Sequence, residues 1–394
     1  MNGNTHLVVE GFKTEIIKVD PAKIEFPRSA TEPVISDQNT RDVLLKAAEI
    51  LKTTHDPVAF PTETVYGLGA SALHTECVKG IYRAKNRPAD NPLIVHVASL
   101  EQLERILLPQ GTRIPEIYLP LIDKFWPGPL TILLPVVQSC PVSAACTVGQ
   151  DTFAVRMPGN VIARSLIALT DLPLAAPSAN ASTKPSTTTA QHVYQDLHGK
   201  IPLILDGGAC SVGVESTVVN GLSDPPMILR PGGLSVEQIK EAGGLKWQSV
   251  IVSKGPVKEG EVVRTPGMKY KHYSPDAFVT LFIDCGDGIE ETENYLESLS
   301  PLPSTISIFR THNFASTLAD HLQQKFNVDV QDVHLGTTGQ DISRNLFIKL
   351  READDNARKL ILIEGVAEKD EGLAIMNRLH KASSAVVRCA TIED

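Results

Sequence analysis

Apolar and polar positions alternate in two different rhythms along the first two thirds of the chain, which predicts a mixture of strands and helices. Residues 40–51 place apolar side chains at helical spacing, and Thr40 is positioned to cap that helix. Short apolar runs typical of buried strands begin at Val58, Leu93, Thr131, Thr152, Leu174, Leu203, Ser216 and Met227. Because helices separate these runs at irregular intervals, we predict an α/β domain whose sheet contains strands of mixed direction.

The last third of the chain has a more regular pattern. Apolar runs at residues 279–283, 305–309 and 360–364 alternate with helical patterns near residues 289–299, 314–326 and 342–353. This strand and helix rhythm predicts a smaller doubly wound domain with a parallel sheet. The region has no GxGxxG sequence, so nucleotide binding there has no motif support.

The segment that joins the two regions has the composition of a linker. Residues 255–275 are rich in Gly, Pro, Lys and Tyr. Lys269, Lys271, His272 and two tyrosines nevertheless give it an unusual density of functional side chains. The predicted organisation is an N-terminal extension (1–36), a first domain (37–248), an interdomain linker (249–276) and a C-terminal domain (277–394).

Composition narrows the class of protein. The net charge of -9 over 394 residues argues against a surface that coats nucleic acid, so chemistry on polyanions requires a local cluster of cations. No segment approaches the roughly 18 apolar residues of a membrane span, and the first forty residues resemble neither a secretory signal nor a transit peptide. We therefore expect a soluble, cytoplasmic protein. Buried free thiols, rather than disulfides or zinc ligands, are predicted for Cys77, Cys140, Cys146, Cys210, Cys285 and Cys389.

Candidate chemistry concentrates where predicted strands end. Polar or cationic residues next to Gly or Pro follow five strands, at the turn after Pro61, at Arg156, at Ser178 with Asn180, at Asp206 and at Arg230. Lys85 and Arg87 precede another strand, which contains His96. Open α/β sheets bind ligands at strand ends, and cations beside hydroxyl groups suit phosphates and carboxylates.

Each of these residues also has an ordinary structural interpretation. Lys85 and Arg87 could be solvated surface charges, His96 a core histidine, and Ser178 a helix cap. The number of polar strand ends favours a binding site. Because no catalytic triad order, metal pair or Walker lysine loop is present, the residues alone indicate an anion-binding, nucleotide-using α/β enzyme and no narrower class.

A series of motifs carries a resemblance to a known family. These are PTETVYGLG at 61–69, Lys85-x-Arg87, NPLIVH at 91–96, WPGPLT at 126–131, VRMP at 155–158, Ser178-x-Asn180, STVV at 216–219, KHYSP at 271–275 and AIMNRLHKA at 374–382. From about Asp37 onwards, the chain resembles the L-threonylcarbamoyl-AMP synthases with a YrdC-like domain, in their longer two-domain form.

The resemblance implies a fold and an activity. The expected fold is a twisted mixed sheet with a concave charged cavity, followed by a Rossmann-like domain, with the linker lying over the mouth of the cavity. The expected reaction makes threonylcarbamoyl-adenylate and pyrophosphate from L-threonine, bicarbonate and ATP. The product would feed a tRNA threonylcarbamoyl transferase complex, and Mg²⁺ would accompany ATP without direct protein ligands.

The family's site residues map onto this sequence as follows. Threonine-binding positions are Thr64, His96, Arg156, Ala176 (through its backbone) and Ser216. ATP-binding positions are Arg87, Asn91, Thr152, Ser178, Ser186, Arg230 and His272. The catalytic set comprises Lys85, Arg87, Ser178 and Asn180.

Physical chemistry gives these positions coherent roles. Arg156 can hold the threonine carboxylate in a two-pronged fork, which leaves the amine free to meet bicarbonate. Lys85, Arg87 and Arg230 can offset the negative charge that accumulates as the carbamate attacks the α-phosphorus. Because the carbamate and the adenylate are labile in water, we expect the linker to close over ATP and bring His272, with Tyr270 or Tyr273, to the phosphates.

Two alternative functions stay open at this point. The related carbamoyltransferases of hydrogenase maturation use carbamoyl phosphate, but they carry zinc-finger cysteines and an acylphosphatase segment that this sequence lacks. A non-catalytic RNA-binding module could use the same cations at the strand ends, and such a module would bind RNA weakly. The acidic net charge disfavours this second alternative, which predicts salt-dependent RNA affinity without ATP turnover.

Overall fold

A computed structural model describes residues 11–253 and 272–389 of the chain. The strands are β1 (Glu15–Lys18), β2 (Ile24–Glu25), β3 (Val34–Ile35), β4 (Val58–Phe60), β5 (Gly67–Ser71), β6 (Ile94–His96), β7 (Leu130–Pro135), β8 (Thr152–Arg156), β9 (Leu174–Ala175), β10 (Leu203–Asp206), β11 (Thr217–Asn220), β12 (Met227–Arg230), β13 (Ile251–Val252), β14 (Phe278–Ile283), β15 (Thr305–Arg310), β16 (Asp329–His334), β17 (Leu360–Glu364) and β18 (Ala385–Arg388). The helices are α1 (Gln38–Thr53), α2 (Thr75–Lys85), α3 (Leu100–Gln102), α4 (Leu119–Phe125), α5 (Ala144–Thr147), α6 (Val161–Thr170), α7 (Ala190–Leu197), α8 (Val236–Gly243), α9 (Ile289–Glu297), α10 (Leu318–Phe326), α11 (Gly339–Asp355) and α12 (Gly372–Ala382).

The first domain is built on an 11-stranded sheet in the order β1-β10-β4-β5-β9-β6-β8-β7-β11-β12-β13. The sheet contains both parallel pairs, such as β6 with β8, and antiparallel pairs, such as β8 with β7. This arrangement confirms the predicted mixed direction. The outermost strand, β1, pairs in parallel with β10, so residues before Asp37 contribute to the same sheet.

The first long helix shows how local sequence sets the position of an element. Its apolar face is buried through Val43, Leu44, Ala47, Ala48 and Leu51, as the spacing predicts. The predicted cap at Thr40 is wrong, because the Asp37 carboxylate accepts a 2.7 Å hydrogen bond from the Thr40 amide and starts the helix three residues earlier.

The second domain is a five-stranded parallel sheet in the order β16-β15-β17-β14-β18. Helices α11 and α12 cover one face of this sheet, and α9 and α10 cover the other. This confirms the predicted doubly wound domain. No helix in residues 11–253 or 272–389 combines the length and the apolar content needed to cross a membrane.

The prediction that all six cysteines are free thiols is wrong for one pair. Cys285 and Cys389 form a disulfide, with Cα atoms 5.2 Å apart. The two cysteines lie 104 positions apart in sequence, but each follows the end of a strand, and those strands, β14 and β18, are neighbours in the sheet. Cys77, Cys140, Cys146 and Cys210 are free.

The two domains share a buried interface. Val65 and Val214 of the first domain belong to the same apolar cluster as Tyr273 and Phe347. Arg351 on α11 crosses the interface and pairs with Asp196 on α7 at 2.8 Å. The interface therefore lies directly beside the turn that follows β4, where the sequence places its first candidate site residues.

Candidate active site

Strand ends of the large sheet and the interface with the second domain enclose a cavity of about 330 Å³. Twelve predicted site residues line it: Thr64, Lys85, Arg87, Asn91, His96, Arg156, Ala176, Ser178, Asn180, Ser216, Arg230 and His272. Two predicted ATP-binding residues are not among its lining residues. Thr152 lies at the start of β8, at the opposite end of the strand from Arg156, and Ser186 lies behind the cavity wall, bonded to Glu215.

Arg156 is held at one pole of the cavity by three hydrogen bonds. At the end of β8 and only 4% exposed, it donates from Nη1 to Thr64 Oγ1 at 2.9 Å, from Nε to the carbonyl oxygen of Gly128 at 3.1 Å and from Nη2 to Glu63 Oε1 at 2.5 Å. One N–H group on each terminal nitrogen remains after these bonds. The guanidinium is therefore fixed in orientation while it still carries two donors for a ligand carboxylate.

Glu63 holds Arg156 in place and was not among the predicted site residues. Its other carboxylate oxygen accepts hydrogen bonds from the amides of Gly159 at 2.9 Å and Asn160 at 3.3 Å, at the start of α6. Glu63 therefore connects the turn after β4 to the loop after β8 and orients Arg156 between them. Glu63 lies in the PTET motif, so the motif marks its position, but the sequence alone does not show which cation it contacts.

His96 ends β6 and lies beside Arg156, its register partner on β8. Its Nδ1 lies 3.1 Å from the carbonyl oxygen of Ile94. Burial, with the nearby charge of Arg156, lowers the pKa of His96 to about 3. The imidazole is therefore neutral at physiological pH and can exchange hydrogen bonds with a ligand without adding charge.

Lys85 joins two of the predicted motifs. Its side chain is 2% exposed, and its ammonium donates to the carbonyl oxygens of Ser178 and Asn180, in the loop after β9. In the same loop Ser178 Oγ donates to Asn180 Oδ1 at 2.5 Å. Burial, reinforced by Arg87, lowers the pKa of Lys85 well below its usual value. The interpretation of Lys85 as a solvated surface charge is therefore wrong.

Arg87 and Asn91 present unsatisfied polar atoms. Arg87 Nη2 makes only long contacts, 3.4 Å to the carbonyl oxygen of Asn91 and 3.5 Å to that of Pro92. Within the described residues, the buried Nε of Arg87 and Oδ1 of Asn91 have no hydrogen-bond partner. Burial lowers the pKa of Arg87 to about 10, which leaves it protonated at neutral pH. These groups are available to a polar, anionic ligand.

Arg230 supplies a further cation from the end of β12. It donates from Nε and Nη2 to the carbonyl oxygen of Ser216 at 3.1 and 3.0 Å, and from Nη2 to Ser216 Oγ at 3.1 Å. Ser216 Oγ also lies 2.8 Å from Thr131 Oγ1, in the WPGPLT motif. This set fixes a guanidinium and a hydroxyl next to each other on the cavity wall.

A carboxylate shares this wall with the cations. Glu215 lines the cavity, accepts a 2.5 Å hydrogen bond from Ser186 Oγ and pairs with Arg378, on α12 of the second domain, at 2.8 Å. Burial alone would raise the pKa of Glu215, but the charges of Arg378 and Arg230 outweigh it and lower the pKa to about 2. The sequence reasoning missed Glu215 and gave Arg378 no role, although Arg378 lies in the AIMNRLHKA motif.

The end of the linker also reaches the cavity. His272 and Tyr273 line it, and the Tyr273 ring packs against Phe347 with ring centroids 5.1 Å apart. Burial, together with the charge of Arg87, lowers the pKa of His272 to about 4. Lys269, Tyr270 and Lys271, which belong to the predicted lid, lie outside the described residues, so the lid stays a prediction.

Comparisons with known proteins show which family this chain resembles. Residues 53–232 match a family model described as telomere recombination, and residues 234–384 match one described as threonylcarbamoyl-AMP synthase, C-terminal domain. The threonylcarbamoyl-AMP synthase of Schizosaccharomyces pombe is 51% identical over 387 residues, which cover 92% of this chain and 93% of that protein. That of Pyrococcus abyssi is 44% identical over 329 residues, which cover 83% of this chain and 90% of that protein.

A solved structure extends the similarity to the whole architecture. The crystal structure of P. abyssi Sua5 complexed with L-threonine superimposes with a TM-score of 0.78 at 40% identity. The match covers 95% of this chain and 100% of that chain. Both domains therefore have counterparts in a protein that was crystallised with an amino acid bound.

Proposed function

This chain belongs to the threonylcarbamoyl-AMP synthase family of enzymes, and on that premise we propose that it joins L-threonine, bicarbonate and ATP into threonylcarbamoyl-adenylate with release of pyrophosphate. The observation that carries the proposal is the convergence of Lys85, Arg87, Arg156 and Arg230 on one cavity. Four cationic side chains in one enclosed space suit a ligand set that carries both a carboxylate and phosphates.

The pole around Arg156 suits the amino acid. The two remaining N–H groups of Arg156 would donate to the threonine carboxylate, while Thr64, His96 and Ser216 offer hydrogen-bonding groups for the rest of the molecule. Ala176 would contribute its backbone. Because His96 is neutral, it would not compete with Arg156 for the carboxylate, and the threonine amine would remain free to react.

The pole around Lys85, Arg87 and Arg230 suits the triphosphate. Arg87 Nε and Asn91 Oδ1 are buried groups in need of partners within the described structure. A phosphate beside Lys85 would raise the pKa of its amine and hold the ammonium form, because an opposite charge favours the charged state. Binding of ATP would thus compensate the desolvation of this lysine.

The reaction then proceeds by positioning and charge stabilisation. The threonine amine attacks bicarbonate to give a carbamate, with loss of water, and a carbamate oxygen attacks the α-phosphorus of ATP as pyrophosphate leaves. Negative charge accumulates on the phosphoryl and pyrophosphate oxygens, where the cations of this pole offset it. The fixed orientation of Arg156 and of the loop held by Lys85 supplies the proximity of the reacting groups.

Mg²⁺ enters this proposal as the counterion of ATP. The described residues contain no group of three or more His, Cys, Asp or Glu side chains arranged to hold a metal ion. Glu215, a carboxylate on the cavity wall, is engaged by Arg378 and Ser186. We expect the phosphates to coordinate the ion, which would partly neutralise their charge.

The adenylate is a labile mixed anhydride, so we expect it to be consumed quickly in the cell compartment where it is made. The proposed acceptor is tRNA, through a threonylcarbamoyl transferase complex in the cytoplasm. A lid formed by the linker would protect the intermediate from water, and His272 and Tyr273 would be its fixed end.

The proposal is tested by bicarbonate-dependent release of pyrophosphate from ATP, with L-threonine compared with L-serine and with no amino acid. Wild type should show threonine-dependent release, and Arg87→Ala should lose it. Arg83→Ala is the matched control, because Arg83 lies four residues before Arg87, on α2, and is exposed. Absence of threonine-dependent release from folded wild type would contradict the proposal and favour the RNA-binding alternative.

A further inference from the structure

Arg378 brings a side chain of the C-terminal domain to the wall of the cavity. It lies on α12 and is 0% exposed. It donates from Nε and Nη2 to Glu215 Oε2, at 3.0 and 2.8 Å, and from Nη1 to the carbonyl oxygen of Pro231. The contact spans 163 positions of the sequence and joins two domains.

The negative charge of Glu215 is unfavourable for an anionic ligand, and Arg378 neutralises it. A buried carboxylate on the wall of a cavity that also contains Arg87 and Arg230 would repel an anionic ligand and compete with it for those cations. The two donors of Arg378 neutralise this charge from behind the wall. Docking of the second domain therefore removes the repulsion between the Glu215 carboxylate and a bound phosphate.

The same contact fixes two predicted ATP-binding residues. Glu215 Oε1 accepts the Ser186 hydroxyl at 2.5 Å, while Oε2 is occupied by Arg378. Pro231, the backbone partner of Arg378, directly follows Arg230. A displacement of Arg378 would thus loosen the carboxylate that holds Ser186 and remove a backbone contact next to Arg230.

We propose that Arg378 is a positioning residue through which the C-terminal domain completes the nucleotide-binding site of the first domain. The proposal rests on the function proposed above, because it takes ATP as the ligand of this cavity. The neighbouring charged and titratable groups are Lys381 on the same helix, Arg230 on β12, and His272 and Tyr273 at the end of the linker. Arg378 acts through Glu215 and has no role in bond making.

The test compares ATP affinity in two variants of the full-length protein by isothermal titration with Mg-ATP. Arg378→Gln should weaken ATP binding by about tenfold or more, because it leaves the Glu215 charge uncompensated. Arg344→Gln is the matched control. Arg344, on α11, also reaches across the interface, but it donates to the carbonyl oxygen of Ser211 at 3.2 Å and does not line the cavity. Its loss should change ATP affinity by less than about threefold.

A rescue experiment separates charge compensation from simple loss of structure. Glu215→Gln combined with Arg378→Gln removes the uncompensated charge and keeps an acceptor for Ser186. The double variant should recover ATP affinity to within about threefold of wild type. The proposal is overturned if Arg378→Gln and Arg344→Gln weaken ATP binding equally, or if the double variant binds no better than Arg378→Gln.

Should Arg378→Gln fail to fold, Arg378→Lys takes its place. Lysine keeps the charge but loses the two-donor contact, so ATP binding should weaken by about threefold to tenfold. Unchanged ATP affinity in this variant would overturn the proposal. Threonine-dependent pyrophosphate release by wild type is measured separately, so failure of the synthase assignment is distinguishable from failure of the role given to Arg378.

Discussion

Two buried histidines, His96 and His192, and the half-buried His272 are kept neutral by desolvation of their side chains. Desolvation lowers the pKa of His96 to about 3 and the pKa values of His192 and His272 to about 4. All three are neutral in the folded protein at pH 7. Because an unfolded histidine binds a proton near pH 6.5, the unfolded state takes up more protons than the folded state between pH 6.5 and these lower values. Stability must therefore fall as the pH falls through this window.

His192 is the best of the three for testing this effect, because it does not line the cavity. Its contribution is present above pH 6.5 and is lost as the pH falls towards 4, by on the order of 3 kcal/mol in total. His192→Gln should therefore flatten the decline of the unfolding free energy between pH 7 and pH 4.5, measured by urea denaturation. His198→Gln, at an exposed position on the next turn, is the control. Identical pH profiles for wild type and His192→Gln would contradict the account.

At the residue scale, the sequence predicted which side chains belong to the site better than it predicted which of them contact each other. Arg156 and Thr64 were predicted together because each lies in a motif at a strand end, and they are in contact. Glu63 was not predicted, because its role depends on a hydrogen bond to the guanidinium of Arg156, which lies 93 positions away in sequence. A single sequence without register information gives no indication that such residues meet.

At the scale of elements, hydrophobic periodicity predicted those strands that are buried on both faces. Strand β17, with five buried residues, was predicted with the same bounds that the structure has. Strands β16 and β18 lie at the two edges of the sheet and are half-exposed, and both were missed. Polar side chains interrupt the apolar pattern of β16, whereas β18 is apolar but only four residues long. The pattern becomes weak wherever one side of a strand faces water.

The loop around Gly213 shows how closely the elements of the two domains approach. Its amide donates to the carbonyl oxygen of Thr64 at 3.1 Å, so the loop supports the turn that carries a site residue. Its φ is +83°, and a Cβ atom there would lie 2.4 Å from Arg344 Cα and 2.6 Å from the carbonyl oxygen of Ser343, on α11. Both the backbone conformation and the packing require glycine.

Gly213→Ala should therefore destabilise the protein more than the backbone conformation alone explains. Gly149→Ala is the matched control, because Gly149 has a φ of +73° but has nothing within 4 Å of the added methyl group. We expect a loss of about 1 kcal/mol for Gly149→Ala and of about 2–4 kcal/mol for Gly213→Ala, measured as unfolding free energies in urea. Equal losses would show that α11 does not pack on this loop.

At the scale of the whole molecule, the site belongs to both domains. Composition and rhythm predicted two domains and a mixed sheet followed by a parallel one, and the structure agrees. The ion pair between Glu215 and Arg378 could not be predicted, because docking of the domains depends on the complementary shapes of two folded surfaces. Tyr273, at the end of the linker, lines the cavity, and the guanidinium of Arg378 on α12 lies over its ring. Most of the other lining residues come from the first domain.

The central claim is that this cavity joins threonine, bicarbonate and ATP into one product. The most direct measurement is mass spectrometry of a rapidly quenched reaction that contains the purified full-length protein, L-threonine, Mg-ATP and ¹³C-bicarbonate. The account predicts an adenylate that contains threonine and one ¹³C atom, and predicts its disappearance when threonine is omitted. Consumption of ATP without any labelled adenylate would contradict the account, even if pyrophosphate were released.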